Sequence, residues 1–196
     1  MKAIICAAGI GERLGLGIPK ALVQVGGRPI IDWQLEALKD YEVTVVAGFK
    51  AMEIIKHVGG RARVIVSEDY LYTSTCHSIG LVGEMDAQLI VDGDLLFLRK
   101  SFPTSEFIGV CEPRSEEPVY AVVEDGLVNG FSLKPTSAEW ACIFVGRPST
   151  FLGKRTGYVY EALAPRLPLP AEHIDCFEVD TPGDLKKAER WIAERA

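Results

Sequence analysis

A glycine-containing segment with two cations follows the first apolar run of the chain. Residues 7–14 read Ala-Ala-Gly-Ile-Gly-Glu-Arg-Leu, and Lys20 comes seven residues after Arg13. Glycine lets backbone N–H groups approach an anion closely, and two cations on one irregular loop can converge on phosphate oxygens. We therefore predict a phosphate-binding loop. Its nucleotide-binding residues are Ala7, Ala8, Gly9, Gly11, Arg13 and Lys20.

Two common phosphate-binding motifs do not fit this segment. A P-loop needs the string G-K-[ST], which the segment lacks. A dinucleotide site needs a third glycine where Leu14 stands, and an acid after the second strand, where residues 47–50 read Ala-Gly-Phe-Lys. A nicotinamide enzyme is therefore disfavoured. A plain glycine turn with two solvated cations is the other interpretation, and Arg13, Pro19 and Lys20 together weigh against it.

Acidic residues end two other apolar segments. Asp92 and Asp94 follow one, and Asp180 follows residues 177–179. Side chains two residues apart on a strand face the same way, and ligands of open α/β sheets bind beyond the carboxyl ends of strands. Carboxylates gathered there suit Mg²⁺, which prefers hard oxygen ligands. Two alternatives stay open: the D-x-D pattern is also typical of a turn, and Asp180 could stabilise the dipole of the helix after it.

The elements that must position these residues alternate between short apolar runs and helical periods. The predicted strands are residues 2–6, 42–47, 63–66, 88–91, 107–111, 120–124, 127–131 and 141–145. Helices are predicted after Pro29, over residues 51–58, through Ile79, Val82 and Met85, and after the N-cap Thr181. Repeated β-α-β units predict a three-layer, Rossmann-like α/β fold with a mostly parallel sheet.

A hairpin interrupts this pattern in the second half of the chain. Asp125-Gly126 between two apolar strands is a strong two-residue turn signal. We predict one domain over residues 1–196, with a small β-hairpin extension at about residues 113–140. An exposed edge at this hairpin leaves two roles open: pairing of subunits in a homo-oligomer, or covering of an acceptor pocket. The proline-rich residues 165–170 read as a surface loop.

Composition limits the classes of partner. The 27 acids and 21 bases give a net charge of -6, without the basic stripe that a nucleic acid partner requires. No apolar run approaches the roughly 18 residues needed to cross a bilayer, so we expect no membrane insertion. The five cysteines are widely spaced with no C-x-x-C, and the first residues lack the layout of a signal peptide. The predicted location is the cytoplasm.

The order of these motifs resembles a known family. Residues 7–14 are followed by P-K-A-L at 19–22 and G-G-R-P-I-I at 26–31, a series similar to the signature of the GT-A-type nucleotidyltransferases. The resemblance continues, in the expected order, at residues 66–70, 92–94, 132–135 and 179–182. It implies a GT-A nucleotidyltransferase-like fold and an enzyme that couples a nucleoside triphosphate to a phosphorylated sugar, polyol or choline.

The resemblance also implies roles for individual residues. Lys20, Arg13 and Asp94 would be catalytic, and Asp94 and Asp180 would hold Mg²⁺. Asp92 would support that site, and residues 73–78 would open a helix beside the base. The further nucleotide-binding residues are then Ser74, Ser78 and Asp92. The acceptor-binding residues are Lys134, whose match is the family's K-P lysine, with Tyr120 and Trp140.

The expected partners are a nucleoside triphosphate, with CTP favoured, and a small phosphorylated alcohol. Chain length resembles that of the small cytidylyltransferases for inositol phosphate or phosphocholine. Residues 108–112, 111–114 and 123–128 look most like the inositol-phosphate branch. A choline group would call for aromatic faces and carboxylates. Tyr120, Trp140, Tyr158, Tyr160, Glu116 and Glu117 could supply them, and packing in the core or the hairpin is the equal alternative for the aromatics. Two alternatives remain: a sugar-1-phosphate nucleotidyltransferase, and a nucleotide-binding regulatory domain without catalysis.

Overall fold

The computed structural model describes residues 1–195, and every element below lies within that range. The strands are β1 (Lys2–Ala7), β2 (Gln24–Val25), β3 (Arg28–Pro29), β4 (Glu42–Ala47), β5 (Arg63–Val66), β6 (Gln88–Asp92), β7 (Leu95–Phe97), β8 (Phe107–Cys111), β9 (Tyr120–Glu124), β10 (Leu127–Ser132), β11 (Ala138–Gly146), β12 (Leu169–His173) and β13 (Cys176–Glu178). The helices are α1 (Ile30–Ala37), α2 (Ala51–Val58), α3 (Thr75–Gly80), α4 (Val159–Leu163) and α5 (Pro182–Ala193). No helix in this range is long and apolar enough to span a bilayer.

Nine strands form one sheet in the order β5-β4-β1-β6-β11-β8-β12-β10-β9. The first four strands in this order are parallel to one another. From β11 onward the pairing is antiparallel, except between β12 and β8. The α/β prediction is confirmed, but a mostly parallel sheet describes only one half. A two-residue turn can join only antiparallel strands, which accounts for the β9–β10 pair in the other half.

The predicted hairpin is present as β9 and β10. Asp125 and Gly126 have positive φ angles of 51° and 76°, as a tight hairpin turn with the twist of its strands requires. The prediction that this hairpin has an exposed edge is wrong at the paired positions, because β10 pairs with β12 and β9 pairs with β11 through backbone hydrogen bonds. The β9–β11 pairing joins the strands β8 to β12 into a closed ring of five.

The two faces of the parallel strands pack into different cores. On β1, Ala3 and Ile5 belong to a cluster with residues of α1 and α2, whereas Ile4 belongs to a cluster with residues of α3 and α4. All three side chains are fully buried. Burial on both faces explains why β1 is a continuous apolar run with no alternation of polar residues.

Two local predictions need correction. The helix predicted through Val82 and Met85 ends at Gly80, whose missing side chain leaves room for the Phe151 carbonyl; Gly83 then takes a left-handed φ of 69°. The predicted surface loop at 165–170 contributes the first residues of β12. Residues 177–179 lie mostly in β13, which pairs with β7 in a separate two-stranded sheet.

Candidate active site

A cleft of about 1000 Å³ opens at the carboxyl ends of the parallel strands. All nine residues predicted to bind nucleotide line it, as do the predicted metal ligands Asp94 and Asp180 and the acceptor candidate Trp140. The other two acceptor candidates, Tyr120 and Lys134, are not among the lining residues, although the neighbours Val119 and Leu133 are. The roles of these residues remain predictions, but most of them share one cavity.

The loop after β1 depends on two glycines for different reasons. A Cβ on Gly9 would have no atom within 4 Å, so its backbone faces open space in the cleft. Gly11 has a left-handed φ of 71°, and a Cβ there would meet the Cγ atom of Lys20 at 2.7 Å. Gly11 therefore allows the stem of Lys20 to cross the loop, which turns at residues 12–14 and is anchored by buried Leu14.

Lys20 joins the two acidic strand ends. Its ammonium donates to Asp94 Oδ2 at 2.8 Å and also to Asp180 Oδ1. The three side chains are only 17%, 14% and 15% exposed. Burial lowers the pKa of Lys20, but the two carboxylates more than offset this and raise it above its ordinary value. Lys20 is therefore held charged at the point where the two carboxylates face each other.

Arg13 lies at the more open end of the same cluster. Its guanidinium donates to Asp180 Oδ2 at 2.6 Å and to Glu117 Oε2 at 2.7 Å. Burial lowers its pKa, while Asp180 and Glu117 raise it by more. Its side chain is 51% exposed, so a ligand in the cleft can reach the guanidinium.

Three carboxylates could hold a divalent cation. Oxygen atoms of Asp94, Glu178 and Asp180 all lie within 4.8 Å of one another. Among residues 1–195, Asp94 Oδ1 is buried and has no hydrogen-bond partner, so it is available as a ligand. Burial, with the neighbouring carboxylates, raises the pKa of both Asp92 and Glu178. A group of hard oxygen donors of this kind fits Mg²⁺.

Glu178 was not among the predicted metal ligands. It lies two residues before Asp180, at the end of β13. The same two-residue spacing that singled out Asp92 and Asp94 therefore pointed to it.

An aromatic corner forms the opposite wall of the cleft. Trp140 and Tyr160 are perpendicular, with ring centroids 6.1 Å apart, and Tyr158 stacks on Tyr160 at 5.3 Å. Trp140 and Tyr160 also contact Phe131 of β10. Tyr158 remains 65% exposed. We call Trp140, Tyr158 and Tyr160 the aromatic corner.

A bulge in β11 shapes this wall. Trp140 is opposite Val110 and Phe144 is opposite Ile108, so the strand carries extra residues between them. Within the bulge Cys142 adopts a φ of 52°, and its thiol contacts Glu178 Oε1 at 3.4 Å. Bulges of this kind redirect side chains near functional sites. Trp140, at the start of the bulge, and Cys142, within it, both line the cleft.

The start of α3 forms the third wall. Ser74 N donates to the carbonyl of Arg155 at 2.9 Å, which ties α3 to the segment before α4. The Ser74 hydroxyl is buried and unpaired, and Ser78 is 3% exposed. Small hydroxyls at a helix start can bond a base edge, so Ser74 has a free group for such a contact.

Comparison with known proteins identifies the family. The model of the MobA-like NTP transferase domain matches residues 3–148, about three quarters of the chain. The chain belongs to this family. The matched region of this MobA-like domain begins in β1 and ends just beyond β11, so it contains the glycine loop, Lys20, Asp94 and the bulge. Asp180 and Glu178 lie outside it.

Curated relatives of this MobA-like domain are nucleotidyltransferases. The choline-phosphate cytidylyltransferase of Streptococcus pneumoniae is 33% identical over 52% of this chain and 48% of its own length. The bifunctional protein GlmU of Thermosipho africanus is 32% identical over 50% of this chain. The chain spans only 22% of GlmU and about half of the cytidylyltransferase.

Solved structures of low sequence identity share the fold of this MobA-like domain. A CTP:phosphocholine cytidylyltransferase from Streptococcus pneumoniae has a TM-score of 0.82 at 22% identity, covering 97% of this chain and 98% of that one. The inositol-1-phosphate CTP transferase from T. maritima has a TM-score of 0.74 at 18% identity, covering 100% and 97%. The GT-A-like fold expected from the motifs is therefore confirmed.

Proposed function

We propose that the chain transfers a nucleoside monophosphate from a nucleoside triphosphate, with CTP favoured, to a small phosphorylated alcohol. The observation that carries the proposal is the meeting of Lys20 with Asp94 and Asp180 beside an open glycine loop. A phosphate oxygen of the acceptor attacks the α-phosphorus, a new P–O bond forms, and the bond to the β-phosphate oxygen breaks. Pyrophosphate leaves with that electron pair, so the reaction needs no oxidant or further reactant.

The residues of the cleft supply alignment and charge rather than proton transfer. A phosphate monoester dianion is already a nucleophile, so no general base is required. Lys20 and Arg13 neutralise the triphosphate and the departing pyrophosphate, and the exposed backbone at Gly9 lets the phosphates approach the loop. Asp94, Glu178 and Asp180 would hold Mg²⁺, which supplies electrostatic stabilisation of the phosphoryl oxygens when bound.

The acceptor side favours an alcohol phosphate with a positively charged group. Six acids line the cleft against two cations; the acids are Glu12, Asp92, Asp94, Glu117, Glu178 and Asp180. A cation beside the faces of the aromatic corner gains cation–π energy, with about 0.5–2 kcal/mol typical. Phosphocholine has such a group and inositol phosphate does not. The similarity to cytidylyltransferases for these acceptors supports CTP as the donor.

A pyrophosphate-release assay tests this function. We expect release with Mg²⁺ and CTP in the presence of phosphocholine, and weaker release with inositol phosphate or sugar 1-phosphates. Lys20→Ala should lose most of this activity, whereas Lys50→Ala, an exposed lysine paired with Glu53, should retain it. Near-normal turnover of Lys20→Ala would contradict the proposal.

Two other functions are outcomes of the same assay. Turnover with a sugar 1-phosphate in preference to phosphocholine would indicate a sugar-1-phosphate nucleotidyltransferase. Nucleotide binding without pyrophosphate release for any of the four triphosphates and any acceptor would indicate a regulatory binding domain. The three carboxylates within 4.8 Å favour catalysis, because binding of a nucleotide alone does not need them all.

A further inference from the structure

A short acidic segment borders the cleft between β8 and β9. We call residues 112–118 the acidic strap. Its middle is fixed by Glu139, a carboxylate of β11 that is only 3% exposed. Glu139 accepts the backbone N–H groups of Arg114 at 2.7 Å and Ser115 at 3.3 Å, and also the Ser115 hydroxyl. A buried carboxylate with three donors from one turn holds that turn in a single position.

A second set of contacts fixes the strap on its other side. The Thr181 hydroxyl donates to Glu116 Oε2 at 2.8 Å, and the backbone N–H of Glu116 donates to Asp184 Oδ1 at 3.3 Å. Beyond the strap, the Val119 carbonyl accepts the backbone N–H of Trp140 at 2.8 Å. Glu117 therefore lies in sequence between Glu116, which contacts Thr181, and Val119, which contacts Trp140 of the aromatic corner.

Glu117 itself is held by a contact that a substrate would replace. Its only ion pair in the part of the chain that the structure describes is with Arg13, and these side chains are 68% and 51% exposed. Exposed pairs of this kind contribute little to stability. Arg13 is also the loop cation most open to a triphosphate, and bidentate bonds from arginine to phosphate are stronger than an exposed carboxylate pair.

We propose that Glu117 is a specificity-determining residue that pairs with Arg13 in the substrate-free protein and with a positively charged group of the acceptor once a triphosphate occupies Arg13. This rests on the proposed function. Glu139 is then a positioning residue, because it fixes the strap from which Glu117 reaches both partners. The released carboxylate and the aromatic corner line the same cleft, and together they suit an alkylammonium group.

The exchange couples the two substrates energetically. A bound nucleotide removes Arg13 from Glu117 and so raises the affinity for a cationic acceptor. Linkage then requires that the acceptor raises nucleotide affinity by the same factor. Without the carboxylate at position 117, this coupling disappears. The nucleotide then binds Arg13 without competition from Glu117, so its own affinity rises.

Binding measurements on the full chain test this exchange. The ligands are α,β-methylene-CTP with Mg²⁺, which cannot transfer its nucleotidyl group, and phosphocholine, each measured alone and with the other by calorimetry. In Glu117→Gln we expect the analogue to bind about two- to fivefold more tightly when alone. Phosphocholine should bind the complex of this variant with the analogue at least about fivefold more weakly than it binds the wild-type complex. The factor by which each ligand raises the affinity of the other should fall to about one.

Glu112→Gln is the matched control, because Glu112 is an exposed strap carboxylate that pairs with Arg114 and not with Arg13. It should leave both affinities and the coupling unchanged. Unchanged analogue binding in Glu117→Gln would overturn the exchange, and this arm needs no acceptor. If the wild type transfers nucleotide to inositol phosphate and ignores phosphocholine, the role of Glu117 is overturned while nucleotidyl transfer stands.

Glu139 has its own readout. Glu139→Gln keeps the volume but removes charge from the acceptors of the Arg114 and Ser115 donors. We expect it to raise the KM for phosphocholine and to leave the unfolding midpoint nearly unchanged. The KM for CTP should not rise, because a loosened strap holds Glu117 less firmly against Arg13. A lower unfolding midpoint together with higher KM values for both substrates would show that Glu139 has a structural role only. That result would remove it from the proposal.

Discussion

The nucleotide side of the cleft is formed by loops that directly follow parallel strands, whereas the acceptor side is formed by antiparallel strands that close on themselves. On the first side, three residues lie at or just after the end of β1 or β6: Gly9, Asp92 and Asp94. The fourth, Lys20, comes from the longer loop that follows β1. On the second side, Trp140 depends on a bulge in β11 and Glu117 depends on a strap held by buried Glu139.

This difference explains which side chains tolerate change. In the proposed function, the nucleotide side would bind a common group, the triphosphate, through backbone and a few charges at fixed places on the sheet. The acceptor side would recognise its group through side-chain faces whose placement depends on irregular backbone. We therefore expect substitutions on the nucleotide side to remove activity with every acceptor, and those on the acceptor side to change the preferred acceptor.

The largest effect is expected on the nucleotide side, at Asp94. Asp94→Asn weakens the metal site and the pair with Lys20, so kcat/KM should fall about a hundred- to thousandfold with every acceptor. Steady-state pyrophosphate release measures this. Asp40→Asn, at an exposed position after α1, is the control and should be active. A loss confined to one acceptor would break the division between the two sides.

Substitutions at two glycines near the loop should separate effects on nucleotide binding from effects on folding stability. In Gly9→Ala the new methyl meets no protein atom within 4 Å, so the free energy of unfolding should change by no more than about 0.5 kcal/mol. The methyl instead displaces the phosphates from the loop, and the KM for CTP should rise about tenfold.

Gly48→Ala is the opposite case. Its Cβ would lie 2.6 Å from the Ala8 carbonyl oxygen, and we expect destabilisation by about 1–3 kcal/mol. Urea unfolding and nucleotide KM, measured for both variants, check this pair of predictions. A Gly9→Ala variant with normal KM would show that the phosphates do not approach that backbone.

On the acceptor side, Tyr158→Leu should raise the KM for phosphocholine about three- to tenfold, because a cation loses one aromatic face. The KM for CTP should not change. Tyr72→Leu is the control, since Tyr72 is 76% exposed and does not line the cleft. Equal effects of the two tyrosine substitutions would remove the aromatic corner from acceptor recognition.

The sequence could bring Gly9, Asp92 and Asp94 to one edge of the sheet because each lies at or just after the end of a strand. Their roles in binding stay predictions. The hairpin turn and the capped α5 were also readable, since Asp125-Gly126 and Thr181 act through local geometry. The closed ring of β8 to β12 was not, because pairing between distant strands leaves no local pattern. For the same reason, the sequence offered Trp140, Tyr158, Tyr160 and Glu117 as candidates by residue type alone. It could not show that they line the same cleft.

The smallest effect is expected away from the cleft, at Asp32 of α1. Its carboxylate accepts bonds from Arg61 at 2.7 Å and His57 at 3.0 Å. Burial raises the pKa of Asp32, but these two partners more than offset it and lower the pKa below its usual range. A lowered pKa in the folded state stabilises the protein above the ordinary value near 4. That stability is lost as the pH falls through the lowered value.

Asp32→Asn should therefore reduce the free energy of unfolding by about 1 kcal/mol at neutral pH, with turnover unchanged. The difference from wild type should shrink as the pH falls below about 4. Urea unfolding at several pH values measures this. A constant difference at all pH values would show that the ion pairs do not cause the stabilisation.

The site of attack on the triphosphate tests the central claim most directly. With CTP, Mg²⁺ and phosphocholine, ³¹P NMR of the products should show pyrophosphate and a nucleoside diphospho-alcohol in equal amounts, and Asp94→Asn should form neither at a comparable rate. Inorganic phosphate and a nucleoside diphosphate in their place would mean attack at the γ-phosphorus. That result would contradict nucleotidyl transfer by the cluster of Lys20, Asp94 and Asp180.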